Sequence, residues 1–193
     1  MAPEPLLPAA SLVRYADAIV RASLGIGEGD SLVVQGQPEH RELLAAVAES
    51  AYRAGAQFVD VVTADPLVTR ARLLHGTDEA IGALSPWARR RLRETSGPRG
   101  ALASIAGQGE SGYLDGVPPA RIATEQARLA EKTAFARRAR LNMRSRWTIA
   151  AWPTDHWAGQ VYPKLEPLKA KRRLARDLLH FCRLTDEIGR AHV

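Results

Sequence analysis

Apolar positions follow helical and strand spacings in turn along this chain. Leu12, Ala16, Ile19 and Val20 recur at 3.6-residue spacing and predict a helix from an N-cap at Ser11 to about Leu24, ended by Gly25, Gly27 and Gly29. Ser31 to Gln35 follows, where Leu32-Val33-Val34 does not alternate, as in a strand covered on both faces. Gly36 and Pro38 make a turn into an amphipathic helix, Glu39 to Ala54. Glu39 and Glu42 sit in its first turn, Leu43, Leu44, Val47 and Tyr52 supply apolar positions, and Gly55 is its C′ stop. Gln57 to Thr63 is a second strand. Strand, helix and strand over about thirty residues make a right-handed βαβ unit with parallel strands.

The alternation continues. Asp65-Pro66 opens a helix that ends near His75-Gly76, and helical pieces are predicted over Thr77 to Leu84 and Pro86 to Thr95. Ala101 to Ala106 is a third, Ala-rich strand, and a loop from Gly107 to Val117 leads to Pro118-Pro119 and a long helix to about Leu141. A fourth strand, Trp147 to Trp152, stops at Pro153, with Thr154 or Asp155 placed to cap a short helix to Tyr162. A last helix runs from Pro167 to about Leu184. One helix followed by four strand–helix alternations predicts a three-layer α/β domain, with a mostly parallel sheet and helices on both faces.

The chain has 193 residues, 46% hydrophobic and 25% charged, enough for one domain with a substantial core. No apolar run approaches a membrane span, and Met1 to Ala10 has neither the basic start nor the apolar length of a signal peptide, so a cytoplasmic location is expected. The single Cys182 excludes an internal disulfide and a thiolate metal cluster. The net charge of +6 and pI near 10.0 raise the question of nucleic acid. Only four of the 27 basic residues are Lys, a bias expected of GC-rich codons. The basic runs Arg89–Arg93, Arg137–Arg140 and Lys169–Arg173 lie in predicted helices without interleaved aromatics, so they read as solvated faces and no nucleic-acid partner is expected.

Gly107-Gln108-Gly109-Glu110-Ser111-Gly112 matches G-x-G-x-x-G after a strand, but the next helix starts too late for its N-terminus to hold a pyrophosphate there. Ser111 is no nucleophile elbow, because Tyr113 stands where that motif needs Gly. The five His (40, 75, 156, 180 and 192) show no H-E-x-x-H spacing. Glu39 and Glu42 around His40 are explained by the helix dipole. Asp155 and His156 fall at the expected carboxyl edge of the sheet, where open α/β folds bind ligands, and are the candidate pocket-lining residues. A capping role competes with that reading.

The stretch Arg146 to Ala158 carries three of the four Trp, and its pattern W-T-I-x-x-x-P-T-x-x-W-A resembles a segment of the thermophilic metalloprotease family, the metal-dependent aminopeptidases of the aminopeptidase T and PepS type. The likeness extends to Tyr15-Ala16-Asp17-Ala18-Ile19-Val20, the Gly27-Glu28-Gly29-Asp30 turn, Glu49 to Ala56, the strand Phe58 to Val62 and the Gly107 to Gly116 loop. The resemblance implies removal of N-terminal residues from peptide substrates by a site with two divalent metal ions, and a homodimer. It also implies that the Glu, His and Asp ligands lie in a separate C-terminal domain. No catalytic or metal-binding residue is therefore carried over, and the chain alone should be inactive.

The last residues invite a second expectation. Ile188-Gly189-Arg190-Ala191-His192-Val193 is the translation of ATC GGA AGA GCA CAC GTC, the start of a common short-read sequencing adapter whose next codon in frame is TGA. We expect residues 1–186 to be the N-terminal α/β domain of an aminopeptidase, 187–193 to be adapter read-through, and the C-terminal metal-binding domain to be missing. The alternative is a free-standing α/β ligand-binding or dimerisation module without catalysis.

Overall fold

The strands predicted from the unbroken apolar runs form the sheet. In the computed structural model, which describes residues 4–107, 109 and 112–184, strand β1 (Ser31–Gly36) lies between β2 (Phe58–Thr63) and β3 (Gly100–Ala106). Strand β4 (Arg146–Ala151) pairs with β3, every pairing is parallel, and the order is β2-β1-β3-β4. Leu32 is level with Val59 and Ala101, and Val34 with Val61 and Ala103, so one face of the sheet is lined by aliphatic side chains.

That face carries the main core. Helix α1 (Ala9–Asp17), its π-helical continuation (Ala18–Ser23) and α2 (Arg41–Arg53) bring Tyr15, Ile19, Val20, Leu43, Leu44 and Val47 onto it. Each large aliphatic side chain so buried contributes about 1.5–3 kcal/mol. Helix α3 (Pro66–His75) follows β2, and α4 (Pro86–Thr95) packs on the opposite face against β1 and β3. Helices α5 (Pro119–Lys132) and α6 (Ala134–Leu141) lead to β4, and α7 (Asp155–Val161) and α8 (Pro167–Phe181) follow it. Ala175 and Leu179 of α8 join the main core, and Ala170 and Leu174 pack on Ala158 of α7. The domain is thus α/β with helices on both faces of a parallel sheet, as the alternation predicted.

Three boundaries differ from the sequence reading. The first helix is capped by Pro8, not Ser11, and turns π-helical at Ala18. Thr77 to Leu84 is a set of turns rather than a helix. The Asp78 carbonyl, which a helix would offer to the Gly82 N–H, accepts from Arg128 of α5, and Gly82 holds φ +68°, which breaks a regular helical ladder. The long helix to Leu141 breaks at Thr133, whose hydroxyl donates to the Leu129 carbonyl at 2.7 Å while its backbone leaves the helical region (φ −105°, ψ 4°).

Strand β4 is an edge. The Trp152 N–H donates to the Ala106 carbonyl, so by alternation the backbone groups of Trp147, Ile149 and Ala151 point away from β3. Ala151 is closed off there: the Tyr15 hydroxyl donates to its carbonyl at 2.9 Å and accepts its N–H at 3.1 Å. Burial pushes the Tyr15 phenol well above its ordinary pKa, so it stays protonated. Among the described residues no helix is long and apolar enough to cross a membrane.

Candidate functional site

The chain runs from β1 outward to β2, returns past β1 to β3, and continues to β4, so the direction of winding reverses between β1 and β3. In open α/β sheets the loops leaving the carboxyl ends of two such strands diverge and leave a crevice. Here it is a cleft of about 330 Å³. Its polar lining is Gln35, Gln37, Thr69, Ser104 and Tyr113, and Ala64, Pro66 and Ile105 form apolar walls. None of these side chains is charged. The Gln35 Nε2 group donates to Ser104 Oγ at 3.0 Å, which orients both across the β1–β3 junction.

His40 lies beneath this crevice with no exposed surface. Its Nδ1 accepts the Gln37 N–H at 3.1 Å and the Gln37 side chain accepts the His40 N–H, a reciprocal cap on the 3-10 turn Pro38–His40 that enters α2. The acceptor role of Nδ1 places the proton on Nε2, which has no hydrogen-bond partner among the described residues. A Cβ on Gly107 would stand 2.8 Å from that Nε2 and 2.5 Å from the Trp152 carbonyl, so glycine is required for the β3 loop to pass over the imidazole. Burial, with a lesser push from Lys171, holds the His40 pKa below its ordinary value, against the opposing pull of Glu39 and of the nearby Ile105 backbone, whose approach to the ring falls short of a well-formed hydrogen bond.

Asp155 and His156 are found in the first turn of α7, whose N-cap Thr154 accepts the Trp157 N–H at 3.1 Å. The Asp155 carboxylate is 3.3 Å from Lys171 Nζ, its N–H donates to Glu39 Oε2 at 2.9 Å, and Lys171 reaches Glu39 at 3.6 Å. This carboxylate therefore belongs to an ion-pair triad joining the 3-10 turn before α2 to α7 and α8. The His156 Nε2 is buried and unpartnered among the described residues. Neither side chain lines the switch-point cleft. The residues that do, above all Gln35 and Gln37, were passed over as strand end and turn; their i, i+2 spacing across a strand terminus was the available signal.

Other features are less informative chemically. A cleft of about 360 Å³ at the amino ends of β1 and β2 lies beneath Trp87 and Phe58 and is crossed by the Arg91–Asp60 ion pair at 2.6 Å. It ranks with the switch-point cleft in size but lies at the edge opposite to the one where such sheets bind ligands. The Gly107 to Gly112 motif falls partly outside the described residues, and α5 starts only at Pro119, away from its last glycine. Residues 185–193, including the adapter-like tail, also lie outside them. Among the described residues no group of three or more His, Cys, Asp or Glu is placed to hold a metal ion. The Glu39 and Asp155 carboxylates at the carboxyl edge already share the Lys171 ammonium, so this pair does not fit a divalent metal.

The sequence matches the family described as thermophilic metalloprotease (M29) over residues 9–189. It is 25% identical over 177 residues to aminopeptidase T of Thermus thermophilus, covering 92% of this chain and 43% of that protein. Aminopeptidase 2 of Geobacillus stearothermophilus is 28% identical over 176 residues, with 91% and 42% covered. The fold superposes on the solved structure of wild-type AmpT from Thermus thermophilus with a TM-score of 0.77 at 26% identity, over 88% of this chain and 42% of that one. The chain spans about two fifths of the length of these relatives. A match over nearly the whole chain, with the same fold, places the chain in the thermophilic metalloprotease family.

Proposed function

We propose that this chain is the N-terminal part of a metal-dependent aminopeptidase, which removes N-terminal residues from peptides, and that the part by itself does not catalyse the reaction. The observation that carries this reading is the pairing of near-complete alignment of this chain with only 42–43% coverage of the relatives. On this reading divalent ions held by a second domain supply the hydrolytic chemistry, and this domain contributes walls of the substrate cavity. Asp155 and His156 are then placed at the rim of that cavity, and the complete enzyme is a cytoplasmic homodimer.

Long-read sequencing of the source DNA across the codons for Thr185 to Val193 tests the reading. A frame that continues into a segment rich in Glu, His and Asp is the expected outcome. A stop codon after Val193 in clean genomic sequence overturns it. As a biochemical check, the 193-residue chain incubated with zinc, cobalt or manganese should leave leucine p-nitroanilide intact; metal-dependent release of p-nitroaniline would show that the chain is catalytic alone.

A further inference from the structure

Among the described residues, the switch-point cleft presents an acceptor and a donor without partners. Gln35 has committed its Nε2 to Ser104, leaving Oε1 as an acceptor without a donor among the described residues. Gln37 has committed its carbonyl oxygen to the cap on His40, leaving Nε2 as a donor. Gln37 is extended (φ −94°, ψ 167°), so it prolongs β1, and residues i and i+2 of an extended chain lie on one side, roughly 6.6 Å apart. An extended peptide carries outward-facing N–H and C=O groups along one edge, like groups recurring every two residues at that repeat. One neutral acceptor and one neutral donor on the same side of β1 match a peptide backbone, whereas a carboxylate or phosphate would meet an acceptor and no cation.

The surface beside the cleft fits the same ligand. Ser104 is level with Ile149 on β4, and Ile149 is 63% exposed on the face that α4 leaves uncovered. Tyr113 is among the residues that line the cleft. Polar anchors flanked by an exposed aliphatic and an aromatic side chain suit a chain with alternating amides and side chains.

Resting on the aminopeptidase reading, we infer that this cleft is a peptide subsite: Gln35 Oε1 accepts a backbone N–H, Gln37 Nε2 donates to a backbone C=O, and an apolar substrate side chain lies against Ile149. The ligand is an uncharged stretch of extended peptide, held by its backbone with a preference for an aliphatic residue at one position.

The test is a titration of the 193-residue chain, uniformly ¹⁵N-labelled, with N-acetyl-Ala-Leu-Ala-amide. This peptide has no free amine and no carboxylate, so binding is read without turnover. The expected result is saturable shifts of the Gln35 and Gln37 side-chain amides and of the Ser104 and Ile149 backbone amides, with none from maltotriose. Q35L should weaken binding at least ten-fold, about 1.4 kcal/mol. Gln35 is exposed, so this variant should keep the parent spectrum; I149S, expected to lose the preference for Leu over Gly in the central position, serves if it does not. Shifts centred elsewhere, equal shifts with maltotriose, or no saturable shift at about 10 mM peptide overturn the subsite. The aminopeptidase reading stands or falls separately, on the sequence beyond Thr185.

Discussion

His40 is an imidazole that the fold keeps neutral. Its pKa is lowered by burial, so below about 6.5 the unfolded chain takes up a proton that the folded chain resists. A depressed folded value means stability is fully present above the unfolded pKa and falls as pH drops through the window beneath it. Chemical denaturation between pH 7.5 and 5 should therefore show stability declining from about pH 6.5 downward, and H40N, whose amide oxygen can still accept the Gln37 N–H, should flatten that slope while costing some packing. Asp30 acts in a lower window. Its carboxylate accepts from Arg146 at 2.8 Å and from the Gly27 N–H at 3.0 Å, and these bonds, the one to Arg146 foremost, hold its pKa below 3.8. Its contribution is present above that value and lost as pH falls through the folded one. D30N should cost about 1.5–3 kcal/mol at neutral pH, because the Arg146 guanidinium already has its Nε and Nη2 buried and unpaired among the described residues. A urea-denaturation midpoint equal to that of the parent would refute this.

At the level of elements, β4 shows how one side chain can finish a sheet edge. The Tyr15 hydroxyl supplies both halves of a missing backbone rung at Ala151, and its ring stacks on Trp152 at a centroid distance of 6.4 Å. Y15F keeps the ring and removes both hydrogen bonds, so it should destabilise by about 1–3 kcal/mol and speed amide exchange at Ala151 more than at Trp152, whose N–H faces β3. The pattern of apolar residues was enough to place the strands and most helices, because strand runs and amphipathic spacing are local signals. The misreadings are those where a distant residue decides: Arg128 takes the Asp78 carbonyl that a helix over residues 77–84 would have offered to the Gly82 N–H. The site was partly legible for the same reason. Asp155 and His156 stand at the carboxyl edge in the first turn of α7, but Asp155 is tied into the triad with Lys171 and Glu39. Which residues line the cleft depends on strand order, and β1 lying between β2 and β3 cannot be read from spacing alone.

Taken whole, the molecule has one well-covered sheet face and one half-covered. On the main-core face α1, α2 and α8 leave Leu32, Val34 and Trp152 nearly without exposure. On the other, α4 packs chiefly on β1 and β3, and Trp147 and Ile149 of β4 are 43% and 63% exposed with the backbone groups of both pointing to the open edge. Edge strands in soluble proteins are ordinarily blunted by charge, proline or a covering element. Here the blunting stops at Ala151, and the uncovered remainder adjoins the cleft through Ser104 and Ile149. An exposed apolar strip of this kind marks an interaction surface. The 193-residue chain should accordingly bind a hydrophobic dye such as ANS in its native state, and I149K should reduce the fluorescence several-fold without lowering the thermal midpoint, since the side chain gives up little burial. If dye binding instead persists in I149K and disappears on replacing Trp87, the accessible apolar surface lies at the amino edge under α4. The face beside the cleft would then have to be covered in solution, and the β4 edge could not be the surface open to peptide.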